Sequence, residues 1–404
     1  MFTKRFILAS AYNLFLNLIN LLLSISTFIL LARILAPTER AHLAAIIASV
    51  GLSASFSSVG MPLMFSQIRQ NTVNPRDFVR AAVLMVLAGI VATFLYYVFH
   101  DDVGIVGLVF LTAVSSVVVD TVNKFENFRA SYFNSMIMNY FYTGIIIALL
   151  LYIYLAGIGG TVVVYGIYTS AGLLVLALAT MQFLHRRVRR GAPAVHLKLF
   201  SVGQLLMWLL SFASVFSRYV YILFFLSRVE TAVIGVFLTI CGLFSPVSVF
   251  TVAIGRAFYG GAAGHVTRGF VLKLAAMIVG GTGVALFIVY QLRFLILDLS
   301  CLILPASYCG PAQYVSLAFV YVIGTTTSQI AVDIASRYSR HGQFIMASGV
   351  LAALAAGICL WVGSLQQAVL VTYGFSFFQL VAVAFSLREP EPEPELAGHA
   401  EPVA

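Results

Sequence analysis

Two sets of polar side chains interrupt an otherwise apolar sequence. Asn13, Asn17, Asn20, Ser24 and Thr27 recur at steps of four, three, four and three, so a helix presents all five on one face. Gln204, Ser211 and Arg218 share a face in the same way, and a shift of 191 residues lays Asn13 on Gln204, Asn20 on Ser211 and Thr27 on Arg218. Amides both donate and accept hydrogen bonds. A guanidinium grips phosphates and carboxylates through parallel N–H bonds. Together these eight residues suit a hydroxylated or oxyanionic ligand in a polar cavity. The same residue types also serve as glue between packed helices, and Arg218 can instead snorkel to an interface. Asp120 and Asp333 lie near the ends of apolar segments, as candidates for ion coupling or as helix-end charges.

The elements that must carry these stripes are membrane helices. Of 404 residues, 61% are hydrophobic and 9% charged, against about 25% charged in a soluble chain. Apolar segments of spanning length, about 20 residues, recur throughout: 7–32, 42–66, 81–99, 103–122, 133–156, 160–184, 199–226, 231–254, 272–297, 312–335, 343–363 and 367–387. The fold class expected is an all-α polytopic membrane protein, with about twelve helices in two parallel six-helix bundles around a central cavity. Lys4 and Arg5 precede an apolar run too long for a cleaved signal, so that run reads as the first membrane helix.

The net charge of +9 is a topology signal rather than a nucleic-acid footprint. With the N-terminus inside, eighteen of the 23 basic residues fall on the inner side and four, Arg33, Arg40, Arg228 and Arg293, on the outer. Lys and Arg concentrate on the cytoplasmic side, which places both termini in the cytoplasm. The expected divisions are a first bundle, 1–184, a basic linker, 185–198, a second bundle, 199–387, and a disordered Glu-Pro tail, 388–404. The 191-residue shift also aligns Glu39 with Glu230, Ala41 with Ala232 and Gly51-Leu52 with Gly242-Leu243. Six helices per half keep both halves in one orientation, the parallel-repeat arrangement. Glu39 and Glu230 open their helices, where a carboxylate favours the helix dipole. Cys301 and Cys309 lie near the outer mouth, close enough to pair if that face is oxidising; two free packing cysteines remain the other reading. No Gly-rich phosphate loop, nucleophile elbow or metal-spaced His/Cys cluster occurs, so neither an enzyme nor a cofactor is expected.

The segment Leu31-Ala32-Arg33-Ile34-Leu35-Ala36-Pro37-Thr38-Glu39-Arg40-Ala41 resembles the end of the first helix in bacterial polysaccharide flippases. These belong to the multidrug/oligosaccharidyl-lipid/polysaccharide exporter superfamily. Ala36 and Ala41 stand where that pattern has Gly, and Arg40 where it has an aromatic. Ser58-Val59-Gly60-Met61-Pro62 resembles the family's turn in helix two, with Ser58 in place of an acid, and Leu302 to Tyr308 resembles its re-entry before helix ten. The resemblance implies a flippase moving an undecaprenyl-diphosphate-linked oligosaccharide across the bacterial inner membrane by alternating access. Partners implied are the lipid bilayer, the lipid-linked glycan, and a polysaccharide polymerase and glycosyltransferases; no nucleic acid is implied. An ion-coupled exporter of small molecules and a membrane polymerase acting on lipid-linked glycans remain the alternatives.

Overall fold

The structure, a computed structural model, describes residues 4–58, 105–116, 132–187, 229–244, 266–338 and 364–387, with isolated positions between 83 and 94, at 246–247 and between 344 and 358. The protein is all-α. Its described helices are α1 (Lys4–Ile34), α2 (Pro37–Ser58), α3 (Val106–Ser116), α4 (Tyr132–Leu155), α5 (Thr161–Arg187), α6 (Thr231–Leu243), α7 (Arg268–Ile303), α8 (Gln313–Tyr338) and α9 (Leu365–Ser386). Among the described residues, five apolar stretches, in α1, α5, α7, α8 and α9, are long enough to cross a bilayer. Large apolar side chains such as Phe15, Leu22, Phe287 and Leu302 stand exposed on α1 and α7. That is the surface a lipid-facing helix presents, so the chain is a multi-pass membrane protein.

Most helix limits follow the hydropathy. Tyr132–Leu155 meets the expected 133–156, and Gln313–Tyr338 contains 312–335 but for its first residue. Two depart for local reasons. α2 begins at Pro37, five residues before the expected 42, because its polar first turn escapes a hydropathy window. Pro37 occupies the first helical position, where its missing N–H costs nothing. The Glu39 carboxylate accepts the Ala36 N–H at 2.9 Å, the reciprocal half of a capping box. α7 runs to Ile303, beyond the expected 297, until Pro305 follows the last turn. At 36 residues it measures about 54 Å, well beyond the thickness of a hydrocarbon core of about 30 Å.

Packing sorts these helices into two groups. In the first, α1 packs on α4, α4 on α5 and α2 on α5. Its core joins Leu43, Ile46 and Val50 of α2 to Val109 of α3, Leu150 of α4 and Tyr165 of α5. In the second, α7, α8 and α9 pack on one another, and α6 packs on α8. Ile330, Ile334, Leu380 and Val383 centre that core. The groups meet where α2 lies against α6, with α1 contributing. α2 and α6 are the helices that the 191-residue shift relates. Gly235 lets them approach: a side chain there would overlap the Pro37 carbonyl. The expected linker and tail lie outside the described residues, apart from 185–187, which continue α5.

Candidate functional site

The first stripe divides along α1. Asn13 and Asn17 are buried, while Phe15, Leu18 and Ile19 around them are exposed. The buried face is the one packed on α4, whose Tyr140 hydroxyl donates to the Leu16 carbonyl. The Asn17 amide donates to the Asn13 carbonyl at 2.7 Å, one turn back. Asn20 and Thr27 are half-buried, Thr27 donating to Leu23, and Ser24 is exposed. The second stripe, Gln204, Ser211 and Arg218, lies outside the described residues, as does Asp120. Asp333 is half-buried on α8 and accepts from the Gln329 amide at 3.0 Å.

Asp333 adjoins a polar seam between α8 and α9 that periodicity did not single out. Ser328 and Gln379 are fully buried there, the Ser328 hydroxyl donating to Gln379 Oε1 at 2.5 Å. Among the described residues, Gln379 Nε2 has no acceptor. Thr326, Thr327, Thr372 and Ser376 are buried too, each spending its hydroxyl proton on a carbonyl of its own helix. On the other flank of α8, a cavity of about 190 Å³ opens between α7 and α8, lined by Thr282, Thr326 and Thr327 among apolar residues. The signal for this seam was available: Ser328, Gln329, Asp333 and Gln379 are among the polar interruptions of two apolar segments.

A second concentration of polar groups joins the two halves. The loop after α7 passes through one 3-10 turn, Ala306–Tyr308, and is tied back to the last turn of α7 by a Cys301–Cys309 disulfide with Cα atoms 5.7 Å apart, within the usual range. The two cysteines therefore pair, the first of the readings left open by sequence. Tyr308, 1% exposed, donates its hydroxyl to the Leu35 carbonyl of the α1–α2 turn at 2.8 Å. Phe28 and Ala32 of α1 join Phe237, Ile240, Leu304 and Val315 of the second group in one apolar cluster. Gly242 makes room for the Phe28 ring, and Gly310 fits against Val236. Arg33 is exposed, its guanidinium 3.5 Å from the Ile303 carbonyl. Arg40 is half-buried in the first turn of α2, within electrostatic reach of the Tyr168 and Tyr308 hydroxyls. Burial pushes the Tyr308 phenol up to about 12; nearby Arg40 opposes that shift and Glu39 adds to it.

Glu39 and Glu230 do not share a capping role. Glu39 is inside α2 and accepts from the backbone, whereas Glu230 precedes α6, is exposed, and makes no side-chain cap bond.

Neither a protein-family model nor a curated protein matches the sequence. Solved structures do match its shape. The chain is similar to a multidrug resistance MATE family transporter of the MOP superfamily in an outward-facing conformation, at 15% identity and a TM-score of 0.53, covering 95% of this chain and 94% of that one. A mutant of the Vibrio cholerae MATE transporter VcmN aligns at 12% identity and a TM-score of 0.57, over 94% and 95% of the two chains. The eukaryotic MATE transporter AtDTX14 aligns at 10% identity and a TM-score of 0.59, over 95% and 94%. At these identities the likeness concerns architecture, and it runs nearly end to end: the chain has the MATE transporter fold.

Proposed function

We propose that the protein is a transporter of the MOP superfamily that exports small molecules by alternating access, coupled to an ion gradient. The observation carrying this reading is the end-to-end likeness to MATE transporters at TM-scores of 0.53 to 0.59. The physical argument agrees. Two helix groups that, among the described residues, touch through α2, α6 and the ends of α1 and α7 can rock about that contact. Cargo passes between the groups. Asn20, Ser24 and Thr27 of α1 line its path, Gln204, Ser211 and Arg218 are the candidates from the matching stripe, and Asn13 and Asn17 brace α1 against α4. Asp333 is the coupling carboxylate, set in the Ser328–Gln379 seam, and Asp120 is the second candidate. The disulfide supports placing the 301–309 loop on an oxidising, outer face, as the distribution of basic residues does, with both termini cytoplasmic.

The test is transport by purified protein in liposomes under an imposed proton or sodium gradient, with a fluorescent lipophilic cation as cargo. Gradient-driven movement, lost in Asp333→Asn while the variant still binds the dye, is expected. Movement indifferent to both gradients would remove the coupling.

A second reading, a flippase of lipid-linked oligosaccharide in the bacterial inner membrane, is favoured by the Leu31–Ala41 resemblance. That segment, however, builds the contact between the groups: Leu35 accepts from Tyr308, and Pro37 meets Gly235. Its residues thus answer to a shared architecture and leave the cargo undetermined. Completed lipid-linked units accumulating on the inner leaflet of a deletion strain, with no dye transport, would move the assignment to the flippase and to partnership with a polymerase and glycosyltransferases.

A further inference from the structure

α7 joins α8 in two places and parts from it between them. At one, Val271, Leu274 and Ala275 of α7 share a core with Ile330 and Ile334 of α8. At the other, Leu286 and Val289 of α7 pack against the cluster that holds Val315 and Ala318 of α8. The cavity of about 190 Å³ lies in the gap, with Phe319 and Ile330 of α8 as its floor and Met277, Gly281 and Ala285 of α7 as the facing wall. Missing side chains make the gap. A glycine in a packed membrane helix usually admits a neighbouring backbone, as Gly324 of α8 admits α9 at Tyr373. Gly280, Gly281 and Gly283 of α7 admit nothing: a Cβ at each would meet no atom within 4 Å.

The lining has no use for water. Thr282, Thr326 and Thr327 each donate the hydroxyl proton to a carbonyl of their own helix, and the rest of the wall is apolar. A buried water needs about three polar partners, whereas an apolar cavity of about 150 Å³ stays dry and takes up benzene. The mouth opens into hydrocarbon. Met277 and Gly281 at the rim are exposed, on the flank of α7 that also exposes Val284 and Ile288. Gly281 lies within about 5 Å of the middle of the apolar segment 272–297, a depth occupied by lipid chains and not by head groups.

We infer that the cavity between α7 and α8 binds one hydrocarbon chain of a bilayer lipid, which enters over Gly281 and lies against Phe319 and Ile330. Unfilled, the slot forfeits dispersion contacts along its whole lining. A chain restores them and holds α7 and α8 apart at mid-membrane, while its head group stays outside. The site therefore selects for a chain and is indifferent to charge. It is separate from the polar stripes and from the Ser328–Gln379 seam on the other flank of α8, and it does not depend on what the protein transports.

The experiment uses the full chain in nanodiscs of phosphatidylcholine carrying a photoactivatable diazirine near the end of one chain. Peptide mass spectrometry then locates the cross-links. Lipid around the protein labels exposed Phe287 in any case, so the diagnostic positions are Phe319 and Ile330, which are buried. Both should be labelled, and Gly281→Leu, which plugs the mouth, should lower their labelling severalfold and leave Phe287 unchanged. Labelling confined to exposed residues overturns the site, as does floor labelling that Gly281→Leu does not reduce. If Gly281→Leu fails to fold, the position of the diazirine decides. A probe near the chain end should label the floor of the unaltered protein severalfold more than one near the glycerol, and equal labelling by the two overturns a chain seated at this depth. A lipophilic cation that abolishes floor labelling and, carrying its own diazirine, labels Phe319 in its place would overturn the lipid and assign the cavity to cargo. No gradient is imposed, so a failure here leaves the transporter reading standing.

Discussion

The Tyr308 hydroxyl donates a hydrogen bond to a backbone carbonyl of the other helix group, and burial makes the phenol hold its proton more tightly than it would in water. An ordinary phenol titrates near 10, so a native value of about 12 means the contribution is complete below pH 10. It fades as pH rises through about 12. Difference absorbance titration of the unaltered protein against Tyr308→Phe should show one tyrosinate forming near that upper value; a titration near 10 would place the phenol in water. Tyr308→Phe leaves the ring's packing and deletes the bond. A loss of about 1 kcal/mol, or somewhat more because the buried Leu35 carbonyl is orphaned, should appear as a lower Tm. At this scale the sequence was only partly legible. It marked Asn13 and Asn17 as one face of α1, because periodicity reports a face, but not that α4 covers it. It counted Arg40 as a loop charge, since nothing local reveals which tyrosines fold against it.

Helices were the most legible level, because length and apolarity alone define a membrane span. The misjudged ends are those set by polar chemistry or by proline: the Pro37–Glu39 cap of α2 and the Pro305 stop after α7. Glu39→Ala removes the carboxylate that satisfies the Ala36 N–H and should cost about 1 kcal/mol, read as a fall in Tm in detergent. Gly235 sets the spacing of α2 and α6 more severely. A methyl group at that position overlaps the Pro37 backbone, which cannot swing aside as a side chain can. Gly235→Ala should therefore force the helices apart at a cost of about 1–3 kcal/mol. Spin labels on α2 and α6 would report a longer separation. An unchanged distance with unchanged stability would show that the backbone gives way instead.

At the scale of the molecule, the contacts between the groups among the described residues gather at one end, around Phe28, Leu35, Pro37, Gly235 and Tyr308. The repeat hinted at this, since the helices it relates, α2 and α6, are the pair that pack. Which loop would seal them was not readable, because nothing local shows that Tyr308 folds back onto the turn between α1 and α2. Its disulfide fixes the chain between α7 and the Tyr308 turn. Cys301→Ser with Cys309→Ser should remove about 2 kcal/mol of stability. Reductant should lower the Tm of the unaltered protein by a similar amount and leave the double variant unaffected. Equal effects on both would mean that the loop is held by packing alone.

Because α7 is about 54 Å long and a bilayer's hydrocarbon is about 30 Å thick, this helix leans or protrudes in any membrane. A surplus of this kind is absorbed partly by tilt, and tilt answers to lipid chain length. The far end of α7 leads directly into the Cys301–Tyr308 loop, so a change in lean is delivered to the bond that closes the two halves. Thin bilayers should tilt α7 further and drag Tyr308 away from Leu35, whereas thick ones should let it stand. The protein then registers the thickness of its own solvent, and turnover in liposomes of graded acyl length would vary with that thickness even at constant head-group chemistry.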